Sequence, residues 1–207
     1  MQVLLATRNA AKGREMARLL GQLPPHLVVE TLADHPGCPE AVEDGATFSA
    51  NALIKARVAA SYTGLPTIAD DSGLAVAYLG GEPGVLSARY AGRHGDDPGN
   101  NRLLLSKMAG VAPHLRGARF VTAVAVVLPD GAEHVVEGEC HGVIAYQPRG
   151  SGGFGYDSLF LRAELGLTFA ELAPAAKDAL SHRGRAFAKL APVLWDLIQR
   201  HGARPAN

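Results

Sequence analysis

A short apolar run, Thr67-Ile68-Ala69, has the length of a buried strand and passes at once into Asp70, Asp71, Ser72 and Gly73. Side chains alternate across a strand, so the two carboxylates point to opposite faces and cannot both sit in apolar surroundings. At least one must meet solvent, a cation or a polar partner. We read the segment as a strand that ends in a glycine turn at the carboxyl edge of a sheet. There, hard oxygen ligands on a rigid support suit a divalent metal. The same residues also fit a capped turn, in which Asp and Ser satisfy local backbone N–H groups.

The rest of the 207-residue chain narrows the choice. At 47% apolar it can bury a full core, as one large α/β domain or as two lobes that share a sheet, and no linker-like tract divides it. Basic and acidic residues balance at 20 each, which argues against a protein that holds nucleic acid or an anionic membrane by bulk charge. A local cluster still suffices for a small anion. Cys38 and Cys140 form no C-x-x-C pattern, so reduced thiols are the simplest reading. The apolar run near Met1 is too short for the core of a signal peptide, and no stretch has the length of a membrane span. The expectation is a soluble, cytoplasmic protein.

Val3-Leu4-Leu5-Ala6 reads as a buried strand and residues 12–20 as a helix with Met16, Leu19 and Leu20 on one stripe. Between them lie Thr7, Arg8, Asn9, Ala10, Ala11 and Lys12. A polar turn that opens a helix is an anion site, since free N–H groups and the positive dipole end converge there. Capping of the helix by Thr7 or Asn9 explains the turn equally well. Val28 to Leu32 reads as a second strand, and a loop then delivers Glu40, Glu43 and Asp44 to a helix at 47–61. Glu43 is the candidate metal ligand, and Asn51 and Lys55 share one face of that helix.

Gly80 to Gly92 reads as a shaped loop, and residues 101–108 as a helix with Leu103, Leu104 and Leu105 toward the core. Residues 119–128 and 133–144, joined through Pro-Asp-Gly, form a hairpin. His134 and His141 on its half-exposed arm lack metal-ligand spacing. Next, glycines surround Phe154, Gly155, Tyr156 and Asp157. Such a backbone lets a flat ligand approach, and an exposed aromatic offers a stacking face for a base. Two helices, 174–181 and 184–200, are joined through Ser181-His-Arg-Gly184, and Lys177, His182 and Arg183 concentrate positive charge there. Trp195 reads as packing with Leu194, Leu197 and Ile198. By composition the polar clusters are a phosphate cradle, an acidic metal site, an aromatic platform and a cationic clamp, as a nucleoside triphosphate requires.

The ordered set Thr7-x-Asn9-x-x-Lys12, Gly45-x-Thr-Phe48 with Asn51-Ala52, Ala69-Asp-Asp-Ser-Gly73, Gly80-Gly-x-Pro-Gly84 with Ser87-Ala-Arg89, Gly152-Gly-Phe-Gly-Tyr-Asp157 and Ser181-His-Arg-Gly-x-Ala186 covers nearly the whole chain. It resembles the noncanonical purine nucleoside triphosphate pyrophosphatases, the inosine/xanthosine triphosphatase (Ham1-like) family. Ala50, where bacterial relatives usually carry Glu, and Arg8, where many carry a small residue, are departures. The resemblance implies an α/β fold, elongated and two-lobed around a long mixed β-sheet with flanking helices, with the nucleotide cleft between the lobes. That amounts to a single domain over 1–207 with a tail from 202. It implies Mg²⁺-dependent hydrolysis of ITP, dITP and XTP to the monophosphate and pyrophosphate by a homodimer, with no nucleic-acid or membrane partner. It assigns phosphate to residues 7–12, metal to Glu43 and Asp71, and the base role to Asp71. Substrate contacts fall to Ser72, Phe154, Gly155, Tyr156, Asp157, Lys177, His182 and Arg183. A Maf-like pyrophosphatase for pyrimidine or modified nucleotides and a non-catalytic nucleotide sensor are the alternatives.

Overall fold

The computed structural model describes residues 2–22 and 27–202, so the expected tail beyond Gly202 lies outside the described residues. Its centre is a seven-stranded sheet in the order β2-β1-β3-β4-β5-β6-β7. β1 (Gln2–Leu5) pairs parallel with β2 (Val28–Thr31) and with β3 (Thr67–Val76), in register Leu4 with Thr67 and Leu5 with Ile68. β4 (Gly117–Val127) and β5 (Glu133–Ile144) are the expected hairpin arms. β6 (Phe160–Arg162) runs antiparallel to β5, and β7 (Leu167–Thr168) antiparallel to β6, which makes the sheet mixed. No described helix is long and apolar enough to cross a membrane.

Contacts divide the described residues into two compact units, one drawn from 2–71, 122–138 and 183–202, the other from 72–121 and 139–182. In the first, β1 and the parts of β3 and β4 that belong to it are buried on both faces, which explains their apolar runs. Val3, Leu5, Val124 and Val126 pack with Met16 and Leu19 of α1 (Ala10–Leu20) and Phe187, Leu190 and Leu194 of α5 (His182–Gly202). The alternate positions, Leu4, Ala6, Ala69, Ala123 and Ala125, pack with Ala52, Ala56, Ala59 and Ala60 of α2 (Phe48–Thr63). Large residues thus meet two helices, and alanine meets alanine under the third.

In the second unit, Leu74, Phe120, Tyr156, Phe160 and Phe169 form a core with Leu104 of α3 (Asp97–Lys107). The Phe120 ring lies 4.6 Å from that of Phe160 and 5.8 Å from that of Phe169, the separations aromatic pairs favour. Buried Arg116 donates to the carbonyls of Met108, Ile144 and Ala145, which satisfies a charge the core would otherwise reject. α4 (Pro174–Leu180) stops at Ser181, whose backbone is extended.

Four expectations change. β3 does not end at the acids: Asp70, Asp71, Ser72 and Gly73 all lie within it. Gly73 is a strand glycine, because a Cβ there would strike Ser87 Oγ and the Gly84 carbonyl. The helices begin earlier than the apolar stripes suggest, α1 at Ala10, α3 at Asp97 and α5 at His182; Asn9 and Asp96 cap the first two. Of the α3 leucines only Leu104 is fully buried. Trp195 is 48% exposed, so Leu194 and Leu197 carry the packing of that helix without it.

Candidate active site

Asp70 and Asp71 are both buried, and each has the cationic partner that burial demands. In the first unit, Asp70 Oδ2 accepts from Arg183 Nε at 3.0 Å and lies 3.3 Å from Lys12 Nζ. The other end of Arg183 holds buried Glu15, at 2.7 Å from Nη1. Burial alone would raise the Asp70 carboxyl, but the combined charges of Lys12, Arg183 and Lys55 outweigh it and hold Asp70 well below the usual carboxylate range. For Lys12 the balance runs the other way. Burial pushes its ammonium down, with help from Arg183 and Lys55, more than Asp70 lifts it.

Asp71 points to the α2 side. Its Oδ1 accepts from Lys55 Nζ at 3.2 Å and its Oδ2 from Asn51 Nδ2 at 3.2 Å. Lys55 Nζ also donates to Glu43 Oε2 at 3.1 Å, while Asn51 Oδ1 accepts the Gly45 N–H at 2.8 Å and so ties down the loop that carries Glu43. Burial pushes the Asp71 carboxyl up; Lys55 and Lys12 oppose this, and Glu43 and Asp70 reinforce it. Burial also works against the Lys55 charge, yet Asp71, Asp70 and Glu43 together raise it.

The arrangement fits a divalent cation. Two carboxylate oxygens converge on one ammonium, so the space between Glu43 and Asp71 already accommodates a positive charge. No cluster of three or more His, Cys, Asp or Glu among the described residues offers a complete cage. Mg²⁺ does not need one, since one or two carboxylates plus waters and substrate phosphates complete its octahedron.

Residues 7–12 behave as a capped helix start. Thr7 Oγ1 accepts from Asn9 N–H at 3.2 Å, and Asn9 Oδ1 accepts from the N–H groups of Ala11 and Lys12 at 2.9 and 3.0 Å. Arg8 donates to the Cys38 carbonyl at 2.7 Å. Of this turn, Lys12 is the side chain brought to the acids.

In the second unit, Lys177 Nζ donates to Asp157 Oδ2 at 2.6 Å, a pair that is almost wholly buried, and lies 4.8 Å from the centre of the Phe154 ring. Asp157 Oδ2 also accepts the Phe154 N–H at 2.9 Å. A Cβ at Gly153 would fall on that carboxylate, so glycine is required there. Phe154 is half-buried, as a stacking platform needs. Tyr156 is not exposed: its ring joins the core, its hydroxyl donates to the Ser87 carbonyl at 2.9 Å, and its own carbonyl accepts from the N–H groups of Leu159 and Phe160. His182 stacks on Phe120 at 4.8 Å, and Ser72 is half-buried.

Residues 3–193 match the model of the Ham1 family. The chain belongs to the Ham1 family. It is 54% identical over 200 residues to a dITP/XTP pyrophosphatase of Nocardia farcinica, covering 96% of this chain and 97% of that one. The crystal structure of a nucleoside-triphosphatase, dITP/XTP pyrophosphatase, of Mycobacterium abscessus is similar with a TM-score of 0.74 at 50% identity, covering 93% of this chain and all of that one (100%). The Ham1 protein of Staphylococcus aureus reaches a TM-score of 0.84 at 34% identity, over 95% of this chain and 100% of that one. The α/β fold with a mixed seven-stranded sheet is therefore the Ham1 fold.

Sequence reasoning placed Glu43, Asp71, Lys12 and Arg183 in one list without showing what joins them. It placed Asn51 and Lys55 on one face of α2 from their four-residue spacing but gave them no role; both hold Asp71. It also passed over Asp70 as a charged anchor and Glu15 as the second partner of Arg183. A signal for Asp70 existed in the strand itself: adjacent acids in an inner strand require buried cations on both faces.

Proposed function

We propose that this Ham1-family chain hydrolyses noncanonical purine nucleoside triphosphates, ITP, dITP and XTP, to the monophosphate and pyrophosphate. The observation that carries the reading is the pair Asp70 and Asp71 on one strand, one locked ionised by Lys12 and Arg183, the other raised beside Lys55 and Glu43. Two adjacent carboxylates pushed in opposite directions divide labour between electrostatic anchoring and proton transfer. The names of the relatives support the same substrate class.

Glu43 and Asp71 would hold Mg²⁺, which supplies neutralisation of phosphate charge and a more acidic water. Asp71 takes the proton of the attacking water, placed beside it by the shared metal site. The water oxygen bonds to the α-phosphorus, the bond from that phosphorus to the α,β-bridging oxygen breaks, and pyrophosphate leaves with the electron pair. Lys12 and Lys55 offer positive charge to the phosphates, and residues 7–11 and Ser72 shape their surroundings. Phe154 stacks the purine, while Gly155, the Tyr156 backbone, Asp157, Lys177, His182 and Arg183 complete the substrate contacts. A donor that meets O6 leaves the 6-amino group of adenine unpaired, which is the basis of selectivity. The reading includes a cytoplasmic homodimer without a nucleic-acid or membrane partner, consistent with zero net charge.

The test is pyrophosphate release from dITP, XTP, dATP and dTTP with Mg²⁺, for wild type and Asp71→Asn. We expect dITP and XTP to be preferred, and Asp71→Asn to lose about 10²–10⁴-fold in turnover. Preference for dTTP would instead support a Maf-like enzyme, and undiminished turnover in Asp71→Asn would remove Asp71 as the base.

A further inference from the structure

The backbone that carries Phe154 is held from α3. The Gly155 N–H donates to Asp97 Oδ2 at 2.7 Å, and the Gly155 carbonyl accepts from Asn101 Nδ2 at 2.9 Å. Asp97 and Asn101 are four residues apart on one helix, so they share a face and grip one residue from both sides. Gly155 has φ +59, a left-handed conformation that a glycine-rich loop visits among many others. The two hydrogen bonds select it. On one side of Gly155, the Phe154 N–H is fixed on Asp157; on the other, the Tyr156 hydroxyl is fixed on Ser87. With its neighbours immobilised, the backbone beneath the half-buried Phe154 ring is held by these two polar residues of α3, while Lys177 lies over the ring itself.

We propose that Asp97 and Asn101 are positioning residues for the nucleobase: they hold the Gly155 peptide so that Phe154 is in place before substrate arrives. The proposal rests on the reading that Phe154 stacks the purine. Its physical content is preorganisation. A loop with glycines on both sides of its aromatic must otherwise be ordered at the expense of binding energy, and a small misplacement of a stacking face weakens contact with the base. Their influence therefore falls on the base end of the substrate, while inorganic tripolyphosphate, which has no base, reports on the phosphate end alone.

The experiment compares KM and kcat for dITP, and inhibition by tripolyphosphate, in wild type, Asp97→Ala, Asp97→Asn, Asn101→Asp and Phe154→Ala. Asp97→Ala removes the acceptor for the Gly155 N–H. Asn101→Asp removes the donor to its carbonyl while keeping the shape. Each is expected to raise KM for dITP about tenfold, the loss of one hydrogen bond to a charged or buried group. The tripolyphosphate inhibition constant should stay within about twofold of wild type, because no phosphate contact is touched. Asp97→Asn keeps an oxygen acceptor and should recover most of the wild-type KM. Unchanged KM in both Asp97→Ala and Asn101→Asp would overturn the proposal. So would a parallel rise in KM and in the tripolyphosphate constant, which would mean general structural damage. Phe154→Ala separates the two levels: if it leaves KM unchanged, stacking on Phe154 is itself wrong, whatever the α3 variants do. Should Asp97→Ala fail to fold, Asn101→Asp alone decides the matter.

Discussion

At the scale of single residues, Arg183 joins two buried carboxylates, Glu15 and Asp70, the second of which it shares with Lys12. Replacing it with Ala leaves two buried negative charges short of a partner, a loss of about 3–5 kcal/mol, measurable by urea unfolding. Arg183→Lys should recover only part, because one ammonium cannot reproduce the two-ended fork. Asp70 gives a pH signature in metal-free protein. Its folded carboxyl is depressed relative to the unfolded chain, so the ionised form stabilises the fold above about 3.9 and that contribution is lost as pH falls toward the lower, folded value. The stability gap between wild type and Asp70→Asn should therefore be widest near neutrality and close with acid. A gap that widened toward low pH would contradict the assignment. The need for a partner at Asp70 was legible in the sequence, since alternation forbids two unpaired acids in an inner strand. Which cation answers it was not: Arg183 is 113 positions away, and such pairing is decided by topology.

At the scale of elements, α2 is set by alanines. Ala52, Ala56, Ala59 and Ala60 pack on Ala69, Ala123 and Ala125, and the small residues let the helix axis lie close to the sheet. Asn51 and Lys55 on the same helix reach Asp71 from there. Enlarging fully buried Ala56 to Leu should cost about 1–3 kcal/mol through overpacking. It should lower turnover more than the stability loss alone explains, because it displaces the two side chains that hold Asp71. Comparing turnover with thermal midpoint across Ala56→Ser and Ala56→Leu checks this; turnover that merely tracks the folded fraction would refute it. The alternation of Val and Ala along β4 carried this asymmetry in the sequence, and the hairpin was legible, its second arm as read and its first at 117–127 instead of 119–128. The continuation of β3 through Asp70 to Gly73 was not, because Asp, Ser and Gly signal turns locally, and only paired charges and the close approach of Ser87 keep them in a strand.

For the whole molecule, the order of polar motifs along the chain identified the family and implied two lobes, while the boundaries of the two units were not legible, since they fall inside β3, β4 and β5 and no linker marks them. Metal dependence is a property of this scale, because it asks whether the fold or only the chemistry needs the ion. In the first unit, Lys12, Lys55 and Arg183 are joined to Glu15, Glu43, Asp70 and Asp71, three cations with four carboxylates. The network is thus within one charge of neutrality by itself, and Lys55 already lies between the two candidate ligands. Unlike a small zinc domain, whose binding free energy is its folding free energy, this protein has large apolar cores on both sides of its sheet. Chelation should accordingly abolish pyrophosphate release while leaving far-UV circular dichroism unchanged. Added Mg²⁺ should raise the thermal midpoint only by the mass-action increment, about 2.7 kcal/mol of stability at 100 times the dissociation constant. If EDTA unfolded the chain, the Lys55 bridge would not be enough to hold Glu43 and Asp71 together, and the cation would be structural. If EDTA left turnover intact, the pair would bind no catalytic metal, and Lys55 would be its sole cation.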